Sequence, residues 1–148
     1  MSEILSESIE YIEQSKVGLL ITVGEDSSPY IRSIGAFSND GANIYFETKR
    51  ESNKVRHIKQ NPVVTFYFQN EGQAYNTFKS VAVTGEASEV LDGVEFDNAV
   101  EGISKRYPII KDQISKGEFK DSSIYRVKAK FVKLADYTRN PKEIKEII

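Results

Sequence analysis

The spacing of apolar residues along the chain predicts a mainly β domain with flanking helices. Near the N-terminus, Leu5, Ile9 and Ile12 recur at the spacing of one helical face, which predicts an amphipathic helix over residues 3–15. The later apolar runs are short, rich in β-branched and aromatic residues, and separated by turn residues, as is typical of strands. Six runs have this character: residues 17–23, 29–37, 44–48, 63–69, 80–90 and 124–135.

A helical pattern over residues 92–107 separates the last two predicted strands. Gly85 lies inside the run 80–90, where it predicts a bulge or a close approach of two backbones. The charged tail, residues 139–148, is expected to form a short helix or to fray. Because the sequence contains no internal repeat or linker, we expect its 148 residues to fold as one domain, and strands at this density favour a barrel.

A cationic turn rich in hydroxyl groups separates the third and fourth predicted strands. Ser52 is a good N-cap for a short helix, and Asn61-Pro62 marks where that helix ends. Thr48, Ser52 and Lys54 therefore converge on a helix N-terminus, whose free N–H groups and partial positive charge attract anions. A cation in the first helical turn, such as Lys54, is disfavoured by the helix dipole unless an anion is present. The turn thus predicts a phosphate site.

Arg32 is predicted to join this site. The dipeptide Asp40-Gly41 is a hairpin signal, and such a hairpin pairs the strand of Arg32 with the strand that ends at Thr48. The guanidinium can then bond the same phosphate through two parallel N–H groups. A lone strand arginine is more often a solvated surface residue, and a solvated helix face is the preferred interpretation of Arg56 and Lys59.

Composition excludes several classes of function. The net formal charge is −2 with both signs interspersed, so the broad positive field of a nucleic-acid-binding protein is absent. Without cysteine, and with His57 as the one histidine, neither a metal site nor a Ser-His catalytic unit is expected. A lone helix histidine is more often structural or exposed than catalytic. The acidic N-terminus and the short apolar runs predict a cytoplasmic protein with no membrane partner.

Taken in order, these motifs resemble a known family. A strand with Pro-x-x-Arg-Ser at residues 29–33, a hairpin, an aromatic strand ending in Thr48, the element Ser52-x-Lys54 and a following Asn-Pro are similar to the pyridoxamine 5′-phosphate oxidase-like FMN-binding split barrels. The resemblance runs from about residue 17 to residue 90, with less agreement as far as Tyr137. It implies that residues 1–148 form a single FMN-binding domain, a six-stranded antiparallel Greek-key split β-barrel.

The resemblance also implies which residues bind the cofactor. The matching positions are Arg32 and Lys54 for the phosphate charge, Thr48 and Ser52 for hydroxyl donors, and Ser33 and Ile34 for the backbone beside the flavin ring. Glu47 and Asn53 stand where the oxidase itself has an aromatic and a second basic residue, which predicts a weaker phosphate site. In a homodimer, Gln73, Tyr75 and Phe78 are expected to approach the flavin of the other subunit.

A protein that holds FMN need not supply its own acid, base or nucleophile, because the flavin performs the electron transfer. The first hypothesis is therefore a homodimeric FMN-dependent oxidoreductase that acts on an unidentified small-molecule substrate. The alternatives are a non-catalytic flavin sensor or store, a barrel without a ligand, and a deazaflavin in place of FMN. Pyridoxamine phosphate is not the expected substrate, because the oxidase's C-terminal segment, with a Trp and an Arg-x-His element, has no counterpart after Tyr137 in this tryptophan-free sequence.

Overall fold

Strands and short helices alternate along the whole chain. The computed structural model describes every residue from Met1 to Ile148. In chain order the elements are α1 (Glu3–Gln14), β1 (Gly18–Val23), β2 (Pro29–Ile34), β3 (Phe37–Asp40), β4 (Asn43–Lys49), α2 (Asn53–Gln60), β5 (Val63–Phe68), a 3-10 turn (Tyr75–Thr77), β6 (Lys79–Val90), α3 (Val94–Ser104), α4 (Ile109–Ser115), β7 (Ser122–Asp136) and β8 (Glu143–Ile147). None of the α-helices combines the length and the hydrophobicity that crossing a membrane requires.

The strands form one antiparallel sheet that curls into a split barrel. Their spatial order is β2-β1-β5-β6-β7-β4-β3, with β8 added beside β7. The two end strands of this order, β2 and β3, are consecutive in the chain and are joined by Gly35 and Ala36 alone. Because two residues span only a short distance, this connection draws the two edges of the sheet together. The mainly β, antiparallel split-barrel fold is confirmed.

All six predicted strands are present, and the sheet contains two more. The run 29–37 is divided at Gly35, so that Phe37–Asp40 forms a separate strand. The tail contains β8 where a short helix or a frayed end was expected. It pairs with residues Phe131–Ala135, which belong to the long strand β7. The sheet therefore has eight strands where the sequence predicted six.

The predicted hairpin forms, but with a shorter first strand. β3 pairs with β4 so that Asp40 lies opposite Asn43, and Gly41 in the turn has a φ of 59°, which glycine adopts without strain. Arg32 lies on β2, which pairs with β1 and not with β4. The expected pairing of the Arg32 strand with the Thr48 strand is therefore wrong. An Asp-Gly signal determines only the residues next to the turn, and the chain changes direction at Gly35 before it reaches Arg32.

The interior of the barrel combines aliphatic side chains with a cluster of four phenylalanines. Phe37, Phe46, Phe66 and Phe68 are completely buried, and the centroids of contacting rings lie 5.4–6.0 Å apart. A second, smaller core lies where α3 and α4 pack against the sheet. Of the other two helices, α1 packs across β3, β6, β7 and β8, whereas α2 packs against β1, and this last contact positions the candidate site.

Gly85 marks a bulge between β6 and β7, as predicted. The register of the two strands shifts between Thr84 and Gly85. A Cβ atom on Gly85 would lie 2.0 Å from the carbonyl oxygen of Lys128, which is backbone and cannot rotate away. Glycine is therefore required here by the close approach of two backbones.

We predict that Gly85→Ala lowers the free energy of unfolding by about 1–3 kcal/mol, because the methyl group forces β6 and β7 apart. Urea denaturation measures the effect as a lower midpoint. Gly35→Ala is the matched control, since a Cβ there meets no atom within 4 Å, and it should keep the wild-type midpoint. An unchanged midpoint for Gly85→Ala contradicts the prediction.

Candidate functional site

The end of β4 and the start of α2 bring two hydroxyl groups together. Ser52 is the N-cap of α2, as predicted, and its Oγ accepts a hydrogen bond from the Val55 N–H at 3.4 Å. Thr48 Oγ1 lies 3.2 Å from Ser52 Oγ, and the Thr48 side chain is buried. One of these two hydroxyls donates to the other. The remaining O–H has as its nearest other acceptor the Lys49 carbonyl oxygen, 3.5 Å from Thr48 Oγ1, and a contact this long leaves it free to bond a ligand beside the helix N-terminus.

Arg32 and Lys54 lie close enough at this helix start for their charges to interact. Burial lowers the pKa of both side chains, and the charge of Arg32 lowers the pKa of Lys54 further. The Glu47 carboxylate raises the pKa of Lys54, but this is the weakest of the three effects. Neither cation forms a salt bridge with a carboxylate. The site therefore carries positive charge that no ion pair neutralises.

The structure brings Arg32 to Lys54 by a different route from the predicted hairpin. Arg32 lies on β2 opposite Leu20 of β1, and α2, which carries Lys54, packs against β1. The contact between α2 and β1 thus replaces strand pairing as the cause of the cluster.

No group of three or more His, Asp or Glu side chains is arranged to hold a metal ion.

Thr22 belongs to the site although it was not predicted. It is completely buried on β1, and its Oγ1 accepts a hydrogen bond from Arg32 Nη1 at 2.6 Å. The same oxygen lies 2.9 Å from Nδ1 of His57, whose side chain is 5% exposed and lies under the ring of Tyr30. One sequence signal could have identified Thr22. It is a threonine at an inward-facing position of an apolar strand, and a buried hydroxyl needs hydrogen-bond partners.

Ser33 and Ile34 lie on β2, which is an end strand of the sheet order. Ile34 is buried, whereas Ser33 is exposed and lies opposite Leu19 of β1. Because β2 has a sheet partner along one edge only, backbone N–H and C=O groups on its other edge are open to a ligand. A planar molecule with polar edges can bond to such an edge.

Glu47 and Asn53 border the cation pair in different ways. Glu47 is half-buried on β4, and its charge acts on Lys54. Asn53 is exposed, and its Oδ1 accepts a hydrogen bond from Arg56 Nη2 at 2.9 Å. Asn53 and Arg56 therefore bind each other on the helix surface, and Glu47 limits the net positive charge of the site.

The loop Glu71–Phe78 exposes an aromatic ring. Tyr75 is 78% exposed and meets the ring of Tyr137 edge to face, with centroids 5.3 Å apart. Phe78 contacts the same ring at 5.2 Å. The Gln73 side-chain amide instead bonds three backbone groups in and beside its own loop at 2.8–2.9 Å. Tyr75 is therefore the most accessible of the three predicted loop residues.

An apolar surface covers the outer face of β2, β1 and β5. Its members are Val17, Leu19, Ile21, Ile31, Val63 and Tyr67. Ile31 is 62% exposed and pairs with Ile21, while Leu19 pairs with both Ser33 and Tyr67. A groove of about 820 Å³ lies at one end of this β2-β1-β5 face, where Leu19, Ser33 and Tyr67 line it together with polar residues of α1 and of the loop after β5. Contiguous exposed apolar surfaces of this kind mark interaction sites.

Comparison with solved structures finds this fold in several proteins. The conserved hypothetical protein Rv2991 from Mycobacterium tuberculosis has 24% identity and a TM-score of 0.77, over 93% of this chain and 86% of its own. A heme binding protein from Mycobacterium smegmatis has 13% identity and a TM-score of 0.80, over 99% of this chain and 59% of its own. A third match is a protein from Clostridium acetobutylicum that is related to general stress protein 26 and described as of the pyridoxinephosphate oxidase family. It has 20% identity and a TM-score of 0.74, over 99% of this chain and 95% of its own.

Sequence comparison identifies the family. No curated protein sequence matches the chain significantly. The family model described as pyridoxamine 5′-phosphate oxidase matches residues 5–134, which include every residue of the cation and hydroxyl cluster. The chain therefore belongs to the pyridoxamine 5′-phosphate oxidase family.

Proposed function

We propose that the protein is a homodimer that binds FMN and acts as an FMN-dependent oxidoreductase on a small substrate other than pyridoxamine phosphate. The observation that carries the proposal is the pair of partly buried cations, Arg32 and Lys54, without a carboxylate partner in a salt bridge. Two like charges held together in a partly buried site need an anion to balance them.

A phosphate monoester has the charge and the acceptors that this site lacks. It carries up to two negative charges and three acceptor oxygens. Arg32 has N–H groups beyond the one bonded to Thr22, Lys54 supplies a second charge, and the Thr48 and Ser52 pair supplies an O–H at the start of α2. The open edge of β2, at Ser33, offers backbone groups to the polar edge of an isoalloxazine ring.

Heme is the second candidate ligand, because a structural neighbour is described as a heme binding protein. Heme iron is held by a side chain such as His, Cys, Met or Tyr. This sequence has no Cys, its one Met is Met1, and its one histidine, His57, is buried against Thr22. Tyr75, which is 78% exposed, remains as a type of iron ligand, and a cation pair can bind the propionates of heme. What favours FMN over heme is the hydroxyl pair at the start of α2, which suits the acceptor oxygens of a phosphate.

We predict that the purified protein binds FMN and that Arg32→Ala weakens binding by about tenfold or more. A charge-assisted hydrogen bond contributes about 1.5–3 kcal/mol, and about 1.4 kcal/mol is tenfold in affinity. Quenching of FMN fluorescence on titration measures the dissociation constant. Arg56→Ala is the matched control, because it removes the same charge from the exposed surface of α2. A wild-type protein that does not quench FMN fluorescence, or an equal loss in both variants, contradicts the prediction.

The β2-β1-β5 face supports the homodimer. An apolar sheet surface that includes Ile31 at 62% exposure is costly to leave in water, and a second copy of the chain can cover it. Ser33 lies in the groove on the same face, so a ring bound along the β2 edge would lie beside the subunit contact. Tyr75, as an exposed aromatic residue, is available to contact such a ring from the partner.

We predict a dimeric mass for the wild-type protein in light scattering at micromolar concentration, and a monomeric mass for Ile31→Glu. The exposed position tolerates a carboxylate in the monomer, whereas a dimer contact would bury two like charges. Leu91→Glu is the control, because Leu91 is 75% exposed in the connection between β6 and α3 and should leave the dimer intact. A wild-type monomer with FMN bound would overturn the proposal.

The chemistry of the proposed reaction is consistent with the lack of an acid, base or nucleophile cluster in the chain. Bound FMN supplies the transfer of electrons or hydride, and the protein supplies binding, orientation and electrostatics. Glu47, near Lys54, repels a second anion and so disfavours phosphorylated substrates such as pyridoxamine phosphate. A flavin store or sensor is the non-catalytic alternative.

We predict that NADH or NADPH bleaches the flavin of the FMN-loaded protein when they are mixed anaerobically. Direct contact with the ring is the one route for electrons, because the chain has no Cys for a disulfide relay. Stopped-flow absorbance follows the loss of the flavin band, and free FMN with the same donors is the control. Bleaching by dithionite but by neither nicotinamide would favour the store or sensor.

A further inference from the structure

We propose that Thr22 and His57 position the Arg32 guanidinium for a phosphate group, an inference that rests on the anion site proposed above. Both residues act through Arg32 and are therefore positioning residues. The geometry that carries the proposal is a continuous chain of hydrogen bonds from Arg32 Nη1 to Thr22 Oγ1, at 2.6 Å, and from Thr22 Oγ1 to His57 Nδ1, at 2.9 Å.

The direction of each hydrogen bond in this chain follows from the groups themselves. A guanidinium can only donate, so Thr22 Oγ1 accepts from Arg32. The Thr22 hydroxyl then has one proton to donate, and His57 Nδ1 is the acceptor within reach. No other side-chain acceptor lies within hydrogen-bond distance of Thr22 Oγ1, so the proposal assigns the Thr22 proton to this bond and the imidazole hydrogen to Nε2. In this arrangement a lone pair of Thr22 Oγ1 points at Arg32 and holds the guanidinium in one orientation.

The pair is held rigidly enough to fix another side chain. Thr22 is completely buried on β1, and His57 is 5% exposed. The ring of Tyr30 lies 4.6 Å from the imidazole, centroid to centroid, and its hydroxyl donates to Asp26 Oδ2 at 3.2 Å. Neither member of the pair can therefore change rotamer without disturbing the β1-β2 strands or α2.

A purely structural role for His57 would not explain its connection to Arg32. The bond to Thr22 is the one hydrogen bond that the Arg32 guanidinium makes with the protein. His57 also lies three residues after Lys54 on α2, so the same helix face presents a phosphate cation and the residue that orients the other cation. The packing of α2 on β1 thus sets the positions of both cations together.

The experiment compares variants that differ only in the hydrogen bonds of the pair. Thr22→Val keeps the shape of the side chain and removes the hydroxyl, whereas Thr22→Ser retains a hydroxyl. His57→Phe keeps a ring under Tyr30 and removes the acceptor, whereas His57→Asn restores an acceptor near the position of Nδ1. Thermal unfolding confirms that each variant is folded. Where Thr22→Val or His57→Phe does not fold, Thr22→Ala or His57→Leu takes its place, because each removes the same hydrogen bond.

Affinities for FMN and for riboflavin, which lacks the phosphate, separate positioning from general damage to the site. We expect Thr22→Val to weaken FMN binding about three- to tenfold, on the scale of one hydrogen bond, and to leave riboflavin binding unchanged. His57→Phe should act in the same direction, and Thr22→Ser and His57→Asn should restore FMN binding. In an Arg32→Ala background, Thr22→Val should have no further effect, since the two residues act through one interaction. Equal losses for both ligands, or no loss for FMN, would overturn the proposal.

Two further measurements distinguish this inference from the function on which it rests. The first measurement uses inorganic phosphate as the probe. A wild-type protein that binds phosphate but not FMN overturns the proposed function. In that case, a loss of phosphate affinity in Thr22→Val still supports the positioning pair. Binding of neither ligand overturns both. The second measurement is ¹⁵N NMR of the ligand-free protein, in which His57 is the one histidine. An imidazole with its hydrogen on Nδ1 would contradict the proposed direction of the bonds.

Discussion

The two-residue connection between β2 and β3 is the constraint on which the site depends. Because Gly35 and Ala36 join opposite edges of one sheet, the sheet must curl, and the two faces of β2 acquire different surroundings. Arg32 turns toward Thr22, whereas Ile31 and Ser33 lie on the outer face. One short strand thus contributes a cation to the proposed phosphate site, an open backbone edge to the proposed ring site and an apolar side chain to the proposed dimer contact.

Much of this fold could be predicted from the sequence, because most of its strands have strong local signals. The six apolar runs all form strands, and the bulge at Gly85 follows from a glycine inside a strand pattern. The pairing of β2 could not be predicted, since the Asp40-Gly41 turn specifies β3 and β4 but not the partner of the strand before Gly35. β8 was missed for a similar reason: its Lys- and Glu-rich sequence has no strand signal of its own, and the long neighbouring strand β7 supplies its pairing.

The candidate site divides in the same way between local and long-range information. Thr48, Ser52 and Lys54 lie within seven residues of one another around a helix start, so a capping argument is sufficient to group them. Thr22 and His57 are separated by 35 positions and meet only because α2 packs on β1. No periodicity or capping signal connects a threonine in a buried strand with a histidine in a helix. The residues around the helix start can therefore be grouped from the sequence, whereas the placement of Arg32 and of the proposed positioning pair is visible only in the fold.

Arg32 and Lys54 make the ligand-free site a compromise between stability and binding. Burial, and then the charge of Arg32, lower the pKa of Lys54, so the folded chain holds this proton less tightly than the unfolded chain does. Between the lowered pKa and the pKa of the unfolded chain, the unfolded state therefore binds more protons. The cost in folding stability is complete at pH values where both states are protonated, and it fades as the pH rises past the lowered pKa. A bound phosphate reverses the sign, because its charge favours protonated Lys54, and ligand binding then stabilises the fold. Two apolar side chains at these positions would remove the penalty but could not bind an anion. The cation pair is thus explained by the proposed binding of an anion and not by the stability of the barrel.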